Sequence, residues 1–283
     1  MWRGRSRCPW DSMVALRMKG TRSPMNIEKD SSTTSPGSTV TLNHTWESLS
    51  GYLGGDQPHT KIAQLRATGA LHALLPEVDA LFGIPQTPEY HPEIDTGIHT
   101  MLTLKRAAEL TEDIAVRYAA LVHDVGKSLT PPDHWPAHHQ HEEFGVAPIR
   151  AIRQRLGVPE HISALAEHVA RYHLHAHRSL ELRPGTLLKV LEHTNALETP
   201  SVFEQFILAA QADAQGRQGL EDRPYPQARL LRLALQAAHA VATHDANGQE
   251  LTAALIRQRR VEAIQRVHDD VRMSMERDRA ICS

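Results

Sequence analysis

The sequence predicts an all-α chain, and three observations point that way. From about Lys61 onward, apolar residues recur at helical spacing almost without a break. No pair of β-branched runs is joined by a hairpin turn, and nowhere do a strand, a Gly-rich loop and a helix follow one another. The composition, 41% hydrophobic and 23% charged over 283 residues, is that of an ordinary soluble globular protein. No stretch approaches the roughly 18 consecutive apolar residues that a membrane-spanning helix needs, so no membrane partner is expected.

The first 60 residues read differently from the rest. Arg3, Arg5, Arg7, Arg17, Lys19, Arg22 and Lys29 stand there against Asp11, Glu28 and Asp30, with no apolar core of a secretory signal. Ser31 to Thr41 is a Ser/Thr/Pro/Gly run with nothing to bury. Residues 1–60 are therefore expected to be a disordered or non-native extension, with Met13, Met18 and Met25 as alternative starts. A helical domain is expected over 61–240 and a helical tail over 241–283.

Helix by helix, Leu65, Ala70, Leu71, Leu74 and Leu75 form a stripe that ends at Pro76. Thr111-Glu112-Asp113 is a capping signal, after which Val116, Ala119, Ala120 and His123 fall on one face. Pro159 suits a first helical turn, and Ile162, Leu165, Ala166, Val169, Tyr172 and His173 follow it as a stripe. Pro200 opens another helix that aligns Val202, Phe203, Phe206, Ala210 and Asp213. Gln249 to Arg279 is amphipathic. Its Arg257, Arg259, Arg260 and Arg266, interspersed with Glu262, Asp269 and Asp270, read as a solvated face, with RNA phosphate as the alternative.

Charge and cysteine content narrow the chemistry. A net charge of −2 gives no general attraction to nucleic acid. Cys8 and Cys282 lie at opposite ends and support neither a disulfide framework nor a Cys-rich zinc site. Histidine is the outlier, since 19 histidines exceed the 4 Trp, 5 Tyr and 4 Phe together, and 12 of them lie between His91 and His177. The pair His123-Asp124, His173 and Asp213 fall on apolar helical faces, and His99 lies near the start of an earlier helix. A buried unpaired Asp costs several kcal/mol, and a buried imidazole needs its nitrogens satisfied. Convergence on a metal ion answers both costs, and a donor set of imidazole and carboxylate without thiolate suits Mn, Fe, Ni, Zn or Mg. The alternative is a set of hydrogen-bonded core groups, such as a helix-terminal histidine oriented by its neighbouring carboxylate.

The order His99, His123-Asp124, Asp213 resembles the H…HD…D signature of HD-domain metal-dependent phosphohydrolases. The likeness extends further. Tyr90-His91-Pro92-Glu93-Ile94-Asp95-Thr96-Gly97-Ile98-His99-Thr100, His123-Asp124-Val125-Gly126-Lys127 with Leu129-Thr130-Pro131, and Ala212-Asp213 with Gly216-Arg217 resemble the C-terminal part of bacterial multifunctional CCA proteins, from about Lys61 to about His268. That resemblance implies an HD helical bundle holding one or two divalent ions, Ni²⁺, Mn²⁺ or Mg²⁺, on His99, His123, Asp124, His141, His173 and Asp213. Asp124, Lys127 and Arg217 would be the catalytic residues, the two cations neutralising phosphoryl charge. His141 heads His141-Glu142-Glu143-Phe144-Gly145, which resembles an element that follows HD in many relatives. The implied activities are those of a 2′,3′-cyclic phosphodiesterase, 2′-nucleotidase or phosphatase on nucleotide or RNA-end esters, tRNA included, in a cytoplasmic homodimer.

Two departures from the family pattern stand out. The acidic residue commonly found after the histidine at position 173 is Leu174 here, with His175 and His177 as the nearby polar groups. The nucleotidyltransferase signature, a Gly-Gly or Gly-Ser turn followed by Asp-x-Asp, is missing, since Gly54-Gly55 leads to no such pair. CCA addition is accordingly not expected of these residues. Two further readings stay open, an idle tRNA-binding or dimerising fragment and a hydrolase of free nucleotides. Among the other histidines, His138 and His139 read as a solvated loop, and His91 as the residue that fixes the turn at Pro92.

Overall fold

Three caps set where the helices of the N-terminal half begin. The side chains of Thr45, Asp95 and Asp113 accept hydrogen bonds from the backbone N–H groups of Ser48, Ile98 and Ala115, satisfying donors that a helix start leaves unpaired. The computed structural model describes residues 45–282, with side chains to 277. Its helices are α1 (Trp46–Gly54), α2 (Pro58–Ala67), α3 (Ala70–Leu74), α4 (Pro76–Asp79), α5 (Thr96–Leu110), α6 (Ile114–Val122), α7 (His141–Phe144), α8 (Val146–Leu156), α9 (Glu160–His177), α10 (Pro184–His193), α11 (Pro200–Gln215), α12 (Pro226–His239) and α13 (Ala253–Cys282). Short 3₁₀ turns span Val125–Leu129 and Pro132–His134. Among the described residues there is no β-strand, only the isolated bridges Pro85–Asp95 and His244–Glu250.

Helix α6 is the axis of the fold. Every residue from Ala115 to Val122 is buried, and the helix packs against α5, α9 and α11. A helix that is buried all round belongs at the centre of a bundle. Tyr118, Phe203 and Phe206 are the largest fully buried side chains around it. The C-terminal helix α13 lies on α10 and α12, burying Ala263, Ile264 and Val271.

The ordered fold begins upstream of residue 61, which corrects the expectation of an unstructured extension up to residue 60. Leu49 and Leu53 of α1 are fully buried, a contribution of about 1.5–3 kcal/mol each. The buried guanidinium of Arg117 donates to the carbonyls of Leu53 (2.7 Å) and Gly55 (3.0 Å), as well as to that of Thr111 (2.9 Å). Gly54-Gly55 is thus simply the end of α1. The composition signal missed this segment because its apolar residues are few and its anchor lies over 60 positions away. The basic stretch and the Ser31–Thr41 run lie outside the described residues. The stripe through Leu65 to Leu75 is cut into α2 and α3 at Gly69, whose φ of +77° suits a residue without a Cβ.

Two glycines allow the close approaches that bring distant segments together. A Cβ on Gly126 would run into the carbonyl oxygen of His141, so this glycine lets the turn after α6 sit against α7. A Cβ on Gly216 would meet the backbone of Thr103, which lets the end of α11 reach α5. Both approaches lie beside the histidine cluster.

Candidate metal centre

Asp124 lies at the junction of α6 and the 3₁₀ turn with φ −106° and ψ 9°, in the sparsely populated bridge region where many active-site residues are found. Its two carboxylate oxygens face opposite ways. Oδ2 lies 3.2 Å from His123 Nε2 and 2.7 Å from Lys127 Nζ. Oδ1 lies 3.3 Å from His141 Nε2 and 3.8 Å from His173 Nε2. On the far side of His123, Asp213 Oδ1 lies 3.0 Å from His99 Nε2 and 3.8 Å from His123 Nε2. The elements α5, α6, α7, α9 and α11 therefore bring all six sequence-predicted ligands together, and all six are buried. They form two donor sets, His99–His123–Asp213 and Asp124–His141–His173, whose ligand atoms within each set lie within 4.8 Å of one another.

The hydrogen bonds of the histidines determine what those nitrogens can do. His123, His141 and His173 each place Nδ1 at 2.9 Å from a backbone carbonyl, those of Ala120, His138 and Ala170 respectively. A carbonyl only accepts, so each Nδ1 carries the hydrogen and each neutral ring turns an Nε2 lone pair into the pocket. His141 Nε2 and His173 Nε2 face each other at 3.4 Å with Asp124 Oδ1 beside them. Acceptors packed in this way repel unless a cation lies among them. Asp124 Oδ1 and His123 Nε2 are indeed buried without a hydrogen-bond partner. The donor set fits a divalent metal ion with hard or borderline preferences.

The charges agree with that fit. Burial by itself would raise the carboxyl of Asp124, but His123 and Lys127 hold it well below the ordinary range. Asp213 is likewise buried and held well below its ordinary range, chiefly by His177 and His123. Both therefore remain carboxylates. Burial works to lower His123, yet the two aspartates raise it, and a field that draws a proton also draws a metal cation. His173 is pushed well down by burial and stays neutral, the form that ligates.

The predicted cationic residues occupy different positions. Lys127 is buried, with Nζ bonded to Asp124 Oδ2 and to Gln86 Oε1 at 2.8 Å. Two of its three donors are thus engaged within the protein. Arg217 is 17% exposed, donates to the carbonyl of Tyr90 at 3.4 Å, and places Nη2 3.7 Å from Asp213 Oδ1. Arg217 is thus partly exposed beside Asp213, unlike the buried Lys127.

Several participants were missed or misjudged from sequence. His177 Nε2 lies 2.6 Å from Asp213 Oδ2, while its Nδ1 faces Tyr225 Oη at 3.0 Å. The signal was present, because His177 follows His173 by four residues and shares its helical face. His175, two residues on, packs against Tyr172 instead. Leu174 is half-buried and turned about 100° from His173 on α9. His138 is not a solvated loop residue, since it is buried between Thr130 Oγ1 (2.6 Å) and the carbonyl of Pro85 (2.7 Å), whereas His139 is exposed. His91 does brace the turn at Pro92, with Nδ1 3.1 Å from Glu93 Oε1, and burial lowers it to about 4. Within that turn Ile94 has a φ of +61°, a position that costs a β-branched residue about 1–2 kcal/mol. Glu93, 1% exposed at its side chain, carries no periodic signal that could have marked it.

Comparison with known proteins adds kinship to this geometry. Residues 96–234 match the family model described as the HD domain. The chain is 51% identical over 230 residues to the multifunctional CCA protein of Nitrosococcus oceani, covering 80% of this chain and 57% of that protein. It is 42% identical over 235 residues to the multifunctional CCA protein of Hahella chejuensis, covering 82% and 56%. For the corresponding protein of Thioalkalivibrio sulfidiphilus the identity is 46% over 226 residues, covering 78% and 55%. The chain thus spans a little over half the length of these relatives. No helix among the described residues is long and apolar enough to cross a membrane.

Proposed function

Residues 96–234 are an HD domain, the fold of a metal-dependent phosphohydrolase superfamily, and from that premise we propose that this chain hydrolyses phosphate esters of nucleotides or RNA ends. The observation that carries the proposal is the convergence of His99, His123, Asp124, His141, His173 and Asp213 around the unpartnered atoms Asp124 Oδ1 and His123 Nε2. These six residues would hold one or two divalent ions. A divalent ion bound there supplies Lewis acidity toward water and toward a phosphoryl oxygen.

The protein's own groups supply the rest. The carbonyls of Ala120, His138 and Ala170 orient three imidazoles before any ligand arrives, so little reorganisation accompanies reaction. Lys127 holds Asp124 ionised and in place, and its remaining donor offers positive charge to a phosphoryl group. Arg217, partly exposed beside Asp213, offers positive charge to an incoming phosphate. Removing a donor of this kind typically costs about 10²–10³ in rate. The burial of the cluster lowers the local dielectric and so strengthens each of these interactions.

Specific 2′,3′-cyclic phosphodiesterase, 2′-nucleotidase or phosphatase action, with tRNA as one substrate and the cytoplasm as its setting, is the finer form of the proposal. It rests on the resemblance of the His99, His123-Asp124 and Asp213 segments to multifunctional CCA proteins, the kind of protein to which the chain is 42–51% identical in Hahella chejuensis and Nitrosococcus oceani. The test is turnover of a 2′,3′-cyclic nucleotide and of a simple phosphomonoester with added Ni²⁺, Mn²⁺ or Mg²⁺, beside a chelator control. Metal-dependent turnover is expected. Silence toward both esters with every ion would overturn the proposal in favour of a non-catalytic binding role.

A further inference from the structure

We propose that His91, Glu93 and Nδ1 of His99 form a further site for a divalent metal ion, separate from the six-residue centre although it shares the His99 ring with it. His99 is fully buried, and its two nitrogens have different surroundings. Nε2 is hydrogen-bonded to Asp213 Oδ1 at 3.0 Å, with Thr103 Oγ1 at 3.4 Å beside it. A carboxylate only accepts, so Nε2 carries the hydrogen of the neutral ring and Nδ1 carries the lone pair. That lone pair has no hydrogen-bond partner, yet Glu93 Oε1 lies 3.0 Å away. Two buried acceptors this close repel unless a cation lies between them. The contact is too misaligned for an N–H···O bond, so a proton on Nδ1 does not relieve it.

His91 completes the set. Its Nδ1 lies 3.1 Å from the same Glu93 oxygen, and the ligand atoms of the three residues all lie within 4.8 Å of one another. Ligand atoms about 2.1 Å from an ion and at right angles to each other are about 3.0 Å apart, the spacing found on both sides of Oε1. Each such ligand also points about 45° off the line that joins it to its neighbour, so close approach without alignment is what a shared ion produces. Two imidazoles and one carboxylate suit Ni²⁺ or Zn²⁺. His91 Nδ1 donates to Glu93 in the geometry described, and ligation moves that hydrogen to Nε2 with no proton gained or lost. The side chain of His91 is 13% exposed, against 1% for Glu93 and 0% for His99, so water completes the coordination from the His91 side.

The groups around the three ligands support them. A histidine that binds a metal through one nitrogen ordinarily donates its other N–H to a carboxylate or carbonyl, and the Nε2–H of His99 does so to Asp213. Gln86 Nε2 approaches Glu93 Oε1 at 3.4 Å, and the backbone N–H of Gln218 donates to Oε2 at 3.3 Å, which turns Oε1 toward the two histidines. The turn that carries His91 and Glu93 is closed by the Ile94 N–H on the carbonyl of His91 (2.9 Å) and by the Gln86 N–H on the carbonyl of Ile94 (2.8 Å). An ion at this place staples that turn to α5. Because neutral His99 has a single ring hydrogen, it serves this site through Nδ1 or the His99–His123–Asp213 set through Nε2, one at a time. The set Asp124–His141–His173 is independent of that choice.

The test titrates the full chain, labelled with ¹⁵N at histidine, with diamagnetic Zn²⁺ and follows the ring nitrogens by NMR, His99 being assigned through His99→Gln. The Nε2–H of His99 is expected to persist while its Nδ1 shifts, and Nδ1 of His91 is expected to shift over the same Zn²⁺ range. A hydrogen found on His99 Nδ1 throughout the titration overturns the inference. In His91→Ala, with helicity checked by circular dichroism, the Zn²⁺ concentration that half-saturates the His99 Nδ1 shift should rise at least about tenfold. An unchanged half-saturation in a variant of wild-type helicity also overturns the inference, and if helicity is lost the wild-type titration decides alone. Should Zn²⁺ move His123, His141 and His173 but leave His99 Nδ1 unmoved, the six-residue centre stands and this site falls. A chain in which no histidine ring responds overturns both.

Discussion

The two halves of the histidine cluster are oriented by different means. Around Asp124, the rings of His123, His141 and His173 each donate to a carbonyl three residues earlier in their own segment. Around Asp213, His99 pairs through Nε2 with Asp213 itself, and His177 meets Tyr225 from 48 positions away. For His123 and His173 this arrangement follows from helical position, whereas the carbonyl that meets His141 comes from the left-handed backbone at His138 just before α7. The Asp213 arrangement depends on particular side chains that substitution can remove. The Asp124 half should therefore behave as the fixed part of the centre and the Asp213 half as the adjustable part.

The largest effect is expected from Asp124→Ala. This change removes the carboxylate of the Asp124–His141–His173 set, which also lies 3.2 Å from His123 of the other set, and leaves the buried ammonium of Lys127 facing only Gln86. Breaking a buried pair in this way typically costs about 3–5 kcal/mol, so urea unfolding of the metal-free chain should shift accordingly while helicity before the transition is retained. Metal-dependent phosphate-ester hydrolysis should fall to background. Turnover that survived would mean that the Asp213 half suffices by itself, contrary to the comparison above.

Asp213→Asn should do less. The set Asp124–His141–His173 is left intact, so elemental analysis should find bound metal reduced relative to wild type but not absent. Complete loss would show that the halves are not separable. Smaller again is His177→Ala, which removes an outer partner of Asp213 and should weaken Ni²⁺ binding about tenfold. His175→Ala is the matched control, because that ring packs on Tyr172 outside the cluster. Equal losses in the two variants would attribute the effect to α9 as a whole.

The legibility of the site divides along the same line. His123, His173 and Asp213 are legible because each ends or interrupts an apolar helical stripe, where an unpaired polar group is costly, and His99 because it completes the order His99, His123-Asp124, Asp213. His141, on a four-residue helix too short for periodicity, was legible only through the family resemblance. His177 could have been read from its four-residue spacing to His173. Glu93 could not, because its contact with His99 depends on the left-handed backbone of Ile94, a residue type that ordinarily avoids that conformation. His138 was misjudged for a related reason, since the prolines around it suggest exposure while its actual partners, Thr130 and Pro85, come from other turns. In the fold itself, α6, α9, α11 and α13 follow from caps, prolines and stripes. The place of α1 instead depends on Arg117, whose buried guanidinium no local pattern reveals.

His168 offers the smallest and cleanest test of burial without a charge partner. It lies on α9 five residues before His173, with Nδ1 buried and lacking a hydrogen-bond partner. Burial lowers its pKa from 6.5, Glu167 offsets part of that, and Arg171 adds to it. The unfolded chain therefore takes up this proton first as pH falls through 6.5. The stability that neutral His168 permits is complete above that pH and is lost as pH drops toward the folded value. His168→Gln cannot titrate, so in metal-free protein its stability relative to wild type should rise between pH 7.5 and 5.5, measured by urea unfolding at each pH. The titrations of His123 and His173 are common to both proteins and cancel in that difference. A stability gap that did not change with pH would mean that the His168 ring gains enough water to ionise freely. The buried surface of α9 would then penalise charge only where, as at His173, the helix turns into the cluster.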